Sequence, residues 1–194
     1  MIFKSFGSVT NEIIQKPFIL LYGENSSLIN EIEENIISKL KEATSFTIKK
    51  YQEEYLLQNE DIFNQIINSN NLFGDEEIYI ISKTTDKILQ IFDEEVAANN
   101  NKKIIFLSES LTKKSKLRAM GENSNHFACI ACYQDNPEQL QSLLVQKLKN
   151  IKISVSREFI NSIFETNSLN RQILMMQLTR QYLLKIHLIL MKIN

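Results

Sequence analysis

The chain has 194 residues, of which 43% are hydrophobic and 23% charged, with four glycines and two prolines. This composition excludes a disordered chain and disfavours a turn-rich β sandwich, pointing instead to a helix-rich globular protein with one mid-sized domain and a small second one. A formal net charge of −1 argues against nucleic-acid binding through overall basicity and leaves only a local patch for that purpose.

The start, Met1-Ile2-Phe3-Lys4-Ser5-Phe6, lacks the long apolar stretch and small-residue cleavage site of a secretory signal. A first short buried strand is expected from Phe18 to Gly23, running through Glu24-Asn25-Ser26-Ser27 into an amphipathic helix over about Ser26 to Glu42. That helix places Leu28, Ile32, Ile36 and Leu40 on one face, with Asn25 or Ser26 as its cap. Further strands are expected near Thr44 to Tyr51, Ile78 to Ser82, Lys103 to Leu107 and Phe127 to Tyr133. The intervening helices run from about Asn59 to Asn68 (burying Ile62, Phe63, Ile66 and Ile67), Thr85 to Ala98, Thr112 to Gly121 and Pro137 to Lys149. Strands alternating with helices predict an α/β fold: a five-stranded parallel sheet with helices on both faces, filling residues 1–150.

Beyond Asn150 the strand signals stop, and helices over Ser156 to Glu165 and from Leu169 onward predict a small helical domain, residues 151–194. The tail from Tyr182 is apolar on nearly every helical face and needs neighbours on several sides, so this domain is expected to be incomplete. Leu183 to Ile193 is too short for a bilayer and carries Lys185, His187 and Lys192, so no membrane span is expected and a cytoplasmic location is.

The turn after the first strand stands where a phosphate-binding P-loop belongs. On the pattern G-x-x-x-x-G-K-[ST], Gly23 takes the first position and Glu24, Asn25 and Ser26 follow. Leu28, Ile29 and Asn30 fall where the second glycine, the lysine and the hydroxyl should be. The third strand ends Ile80-Ile81-Ser82-Lys83, with no acid to hold Mg²⁺. Asp75, Glu76 and Glu77 precede that strand, at the wrong end for a metal site, and read as a solvated acidic turn. No G-x-G-x-x-G, G-x-S-x-G or H-E-x-x-H occurs.

Cys129 and Cys132 form a C-x-x-C inside a strand, where residues three apart face opposite ways, so both are expected to be buried and inert, and no metal or cofactor is expected. Lys113, Lys114, Lys116 and Arg118 crowd a short helix: a solvated basic face by default, and the candidate DNA contact. Leu72 and Phe73 stand between polar turn residues, either folded back as core or presented as an anchor for a partner's pocket. Fully burying both would contribute roughly 3 to 6 kcal/mol gross, short of the ~12 kcal/mol of a nanomolar complex.

Four segments in order, Leu20-Leu21-Tyr22-Gly23-Glu24-Asn25-Ser26, Asn71-Leu72-Phe73-Gly74-Asp75, Leu111-Thr112-Lys113-Lys114-Ser115-Lys116-Leu117 and Ala131-Cys132-Tyr133-Gln134-Asp135-Asn136, resemble the delta subunit of the bacterial DNA polymerase III clamp loader. The resemblance implies an AAA+-type, P-loop NTPase-like α/β domain followed by a helical lid. It implies no ATPase of its own, although the holoenzyme to which such subunits belong is a DNA-directed DNA polymerase. It implies binding to the ring-shaped beta sliding clamp through Leu72 and Phe73, supported by Ile66, Ile67 and Gly74, and help in opening the ring during DNA replication. Partners of the gamma/tau and delta-prime type would join through a helical collar, and DNA would be contacted indirectly. From about Thr179 the sequence departs from a lid, as a premature end or shifted reading frame would produce, and the collar is expected to be absent. The alternatives are a divergent P-loop-like NTPase and a generic α/β interaction domain with Leu72 and Phe73 in its core.

Overall fold

The computed structural model describes residues 2–4, 9–43, 45–68, 76–150, 164 and 170–179. The chain divides into two compact units, Met1–Tyr133 and Gln134–Asn194.

The first unit is built on strands β1 (Ile2–Lys4), β2 (Phe18–Tyr22), β3 (Phe46–Gln52), β4 (Glu76–Ser82), β5 (Lys103–Ser108) and β6 (Phe127–Ala131). They form one sheet in the order β1-β6-β2-β5-β4-β3, and every pairing is parallel. The five expected strands are all present. A sixth, β1, joins the outer edge with Ile2 opposite Cys129; three residues are too few to show a period in sequence. Central β2 is buried at all five positions, which is why Phe18-Ile19-Leu20-Leu21-Tyr22 reads as one apolar run.

Side-chain alternation divides the core between two faces. On one, Phe18, Leu20 and Tyr22 pack with Ile104, Phe106, Phe127 and Cys129. Helix α4 (Glu60–Asn68) covers this face with Phe63, Ile66 and Ile67, assisted by Leu56 of α3 (Glu53–Gln58) and Leu117 of α6 (Lys116–Asn123). On the other, Ile19 and Leu21 join Ile78, Ile80, Ile105, Ala128 and Ile130 beneath Leu28, Ile29, Ile32 and Ile36 of α2 (Ser26–Ala43) and Ile13 of α1 (Asn11–Gln15). Each fully buried side chain of this kind is worth about 1.5 to 3 kcal/mol. Cys129 lies in the first cluster and Cys132 in the second, both buried and neither in a disulfide. Burial pushes the Cys129 thiol up to about 12.

Three expectations are corrected. The helix expected over Thr85 to Ala98 is a 3-10 turn, Asp86–Gln90, and then α5, Glu94–Asn99. Between them Phe92 turns inward against Phe18 and Phe106, with ring centroids 5.2 Å apart in both pairs. Asp93 caps α5 by accepting from the backbone of Glu95 and Val96 at 3.0 and 3.1 Å, a role that competes with continuing a helix. Glu77 is not a solvated turn acid. It is the second residue of β4, half-buried and paired with Lys49 Nζ at 2.5 Å on the adjacent strand.

The third correction concerns α7 (Pro137–Asn150), assigned from sequence to the first domain. It belongs to the second unit, where Leu140, Leu143, Leu144 and Leu148 pack with Leu174 and Leu178 of the helix over 171–179. Asn136 and Gln139 cap α7 reciprocally at 2.7 and 2.8 Å. Arg171 holds Asp135 through two bonds of 2.7 and 2.6 Å, both side chains being nearly buried. Most of the predicted helix from Ser156 to Glu165 and the apolar tail from Tyr182 lie outside the described residues. No helix among the described residues is long and apolar enough to cross a membrane.

Candidate functional site

Open parallel sheets bind ligands beyond the carboxyl ends of their strands, where neighbouring crossovers depart to opposite faces. Here that point lies between β2 and β5. Helix α2, following β2, packs on one face, while α6, following β5, packs on the other. The candidate site is therefore the turn Gly23 to Asn25 and the rim around it.

That turn is closed by the chain's own backbone. Gly23 N donates to Ser108 O at the end of β5 (3.1 Å), Asn25 N donates to Cys132 O just past β6 (3.0 Å), and Cys132 N donates to Tyr22 O (2.7 Å). Gly23 has φ +142°, and a Cβ built there would stand 2.1 Å from Cys132 O. Glycine is required because another strand's exit crosses at contact distance. Asn25 is 4% exposed. Its Oδ1 accepts from Leu28 N at 3.1 Å, capping α2, and its Nδ2 donates to Tyr133 O at 3.1 Å.

A phosphate cradle needs free backbone N–H groups and a lysine reaching back over them. The N–H groups of Gly23 and Asn25 are spent on carbonyls. Helix α2 has already begun at Ser26, so Leu28 and Ile29 point into the core, 4% and 6% exposed. Asn30, Glu24 and Ser26 are exposed.

The acids of the rim are likewise committed to structure. Glu53, 5% exposed, accepts from Thr85 N (2.7 Å), Thr85 Oγ1 (2.8 Å) and Ile88 N (3.0 Å), tying the start of α3 to the 3-10 turn. Asp86 accepts from Ser115 Oγ (2.5 Å), Lys116 N (3.0 Å) and Leu117 N (2.9 Å) at the first turn of α6. Burial pushes the Asp86 carboxyl up, but the bonds from Ser115, Leu117 and Lys116 outweigh it and hold the group below its ordinary value.

Glu122 accepts at Oε1 from Tyr22 OH (2.9 Å) and Arg118 Nε (2.7 Å), and the Arg118 guanidinium lies 4.9 Å from the Tyr22 ring centroid. Burial raises the Tyr22 hydroxyl well above its usual value, and acceptance by Glu122 raises it further. Lys83, in the place of an expected metal acid, is exposed with φ +56°. It lines an open groove of about 480 Å³ with Lys87, Glu53 and Glu54. Two acids beside two lysines do not make an anion site.

Of the clamp-binding residues expected from sequence, Leu72, Phe73 and Gly74 lie outside the described residues. Ile66 and Ile67 are core residues of α4, 6% and 5% exposed, and Asn100 Nδ2 donates to Ile67 O at 3.0 Å, fixing the end of that helix. Lys113 and Lys114 sit in the turn before α6 and Lys116 is its first residue, all three exposed. Arg118 is separated from them by its bonds to Glu122 and to Leu111 O. Sequence reading missed Glu53 and Asp86, whose partners lie some thirty residues away.

No protein-family model matches the chain. A curated relative described as a probable DNA polymerase III subunit delta, from Rickettsia prowazekii (strain Madrid E), is 23% identical over 145 residues, 73% of this chain and 42% of the relative. The chain thus spans less than half the length of the curated relative it matches. Among solved structures, AMPPCP-bound DnaA from Aquifex aeolicus superposes with a TM-score of 0.55 at 13% identity, covering 84% of this chain and 54% of that one. The Bacillus subtilis DNA clamp loader delta protein gives 0.46 at 17% identity, covering 74% and 46%. The fold is AAA+-like, and the sequence is delta-subunit-like.

Proposed function

We propose that this chain works as a non-catalytic clamp-loader component that binds the beta sliding clamp through Leu72 and Phe73, supported by Ile66, Ile67 and Gly74. The observation that carries the reading is the closed turn at Gly23 to Asn25, whose N–H groups are bonded to Ser108 and Cys132 carbonyls while Leu28 and Ile29 are buried. An α/β sheet of this type without a phosphate cradle serves as a mount for contacts, and the similarity to a delta subunit supplies the class of contact.

On this reading, ring opening is differential binding: an apolar pair that fits the open ring better than the closed one shifts the ring toward opening. Turnover of ATP would reside in gamma/tau-type partners. Lys113, Lys114 and Lys116 form the DNA-facing patch, and Arg118 supports the rim from inside.

Surface plasmon resonance with purified sliding clamp tests the proposal. The Leu72→Ala, Phe73→Ala double variant should bind at least roughly 100-fold more weakly, as expected for loss of two central apolar anchors. Equal affinity of the double variant and the parent would overturn the site. Mg²⁺-dependent ATP binding by the isolated chain would instead favour a divergent NTPase.

A further inference from the structure

We propose that Asn25 is an internal ligand of the β2 to α2 turn, doing within the chain what a bound anion does for an open turn and tying that turn to the exit of β6. A helix N-terminus presents unsatisfied N–H groups that attract an anion. In this chain Asn25 Oδ1 takes one of them, Leu28 N, at 3.1 Å. The same side chain has a second job, because Nδ2 donates to Tyr133 O at 3.1 Å. The backbone of Asn25 adds two more ties, its N–H to Cys132 O at 3.0 Å and its O from Ile29 N at 3.0 Å.

One residue thus clamps the start of α2 and the last two residues of the first unit, Cys132 and Tyr133. The conformation of the turn is then set by bonds that the chain itself supplies. The inference goes beyond clamp binding and does not depend on it.

Cap and latch are separable by substitution. Asn25→Asp keeps an oxygen for Leu28 N, since Asp and Asn are comparable caps, but has no donor for Tyr133 O. Asn25→Ala removes both functions. Amide exchange by NMR on the full chain reads them apart. In the parent, the Asn25 side-chain amide protons should exchange slowly. In Asn25→Asp, the amides of Cys132 and of position 25 should exchange about three- to ten-fold faster, the factor for one lost hydrogen bond, while Leu28 and Ile29 keep their protection.

Asn25→Ala should speed both sets. Adding MgATP to the parent should move neither. Rapid exchange of the parent's side-chain amide, unchanged rates at Cys132 in Asn25→Asp, or a parallel loss at Leu28 and Ile29 would each overturn the latch. If Asn25→Asp fails to fold, the parent's side-chain amide and its response to MgATP still decide the matter.

Discussion

Asp86 gives the sharpest quantitative test of the rim. Its carboxylate accepts from Ser115 Oγ, Lys116 N and Leu117 N, so Asp86→Ala strips the first turn of an eight-residue helix, α6, of an external cap. Lys116 is exposed, and its N–H recovers a water. Ser115 Oγ still accepts from Arg118 N, although its own O–H loses the Asp86 acceptor. The largest losses are the bond from the part-buried Leu117 N–H and the charge at the helix N-terminus. A bond to a charged acceptor is worth about 1.5–3 kcal/mol and the dipole term about 0.3–1 kcal/mol, giving about 2–4 kcal/mol for Asp86→Ala and about half that for Asp86→Asn. For a unit of this size that is roughly 10 °C in Tm.

The pH dependence identifies the cause. Because the folded carboxyl titrates below its ordinary value, its contribution is fully present above the unfolded aspartate pKa of about 3.9 and is lost as pH falls through the lower folded value. Urea unfolding of the parent and Asp86→Asn should therefore show a constant difference between about pH 5 and 8 that narrows below about pH 4. A difference unchanged at pH 3, or one under about 0.5 kcal/mol at pH 7, would refute the assignment of Asp86 as an ionised cap.

Four further outcomes are expected. Gly23→Ala should cost about 3 kcal/mol or more in urea unfolding, since its Cβ meets Cys132 O at 2.1 Å with φ at +142°. Restoring the phosphate pattern with Leu28→Gly, Ile29→Lys and Asn30→Thr should yield no ATP binding by calorimetry and a lower Tm, because positions 28 and 29 are core. Arg171→Ala should destabilise the second unit by about 3 kcal/mol, measured by denaturation, since it leaves the nearly buried Asp135 without its bidentate partner. Asn100→Ala, which frees Ile67 O at the end of α4, should weaken clamp binding a few-fold in surface plasmon resonance while costing about 1 kcal/mol of stability.

The strands were legible where burial on both faces made the sequence continuously apolar, as in Phe18 to Tyr22, and α2 was legible from Leu28, Ile32 and Ile36. The separation of Cys129 from Cys132 followed from strand geometry alone. What sequence could not supply was partnership. The apolar stripe of α7 looks the same whether it covers a sheet or meets Leu174 and Leu178. Glu53, Asp86 and Asp93 are acids in helical context, and only the fold shows each of them accepting backbone N–H groups. Beside the turn, Lys83 reads as a missing metal ligand, but nothing local announces that Glu53 and Asp86 already occupy the neighbouring donors.

Gly23 shows why one surviving position of a nucleotide pattern is poor evidence for nucleotide. Its φ and its approach to Cys132 O require glycine whether or not phosphate ever binds, so its presence follows from how β6 exits past β2. The informative positions are the ones where pattern and packing compete, Leu28 and Ile29, and there packing has won. The same competition reaches the opposite end of the sheet's first face. Phe63, Ile66 and Ile67 bury α4 against it, and Asn100 fixes the last turn. The rim and α4 are thus held by packing and by the chain's own hydrogen bonds, and neither depends on phosphate chemistry.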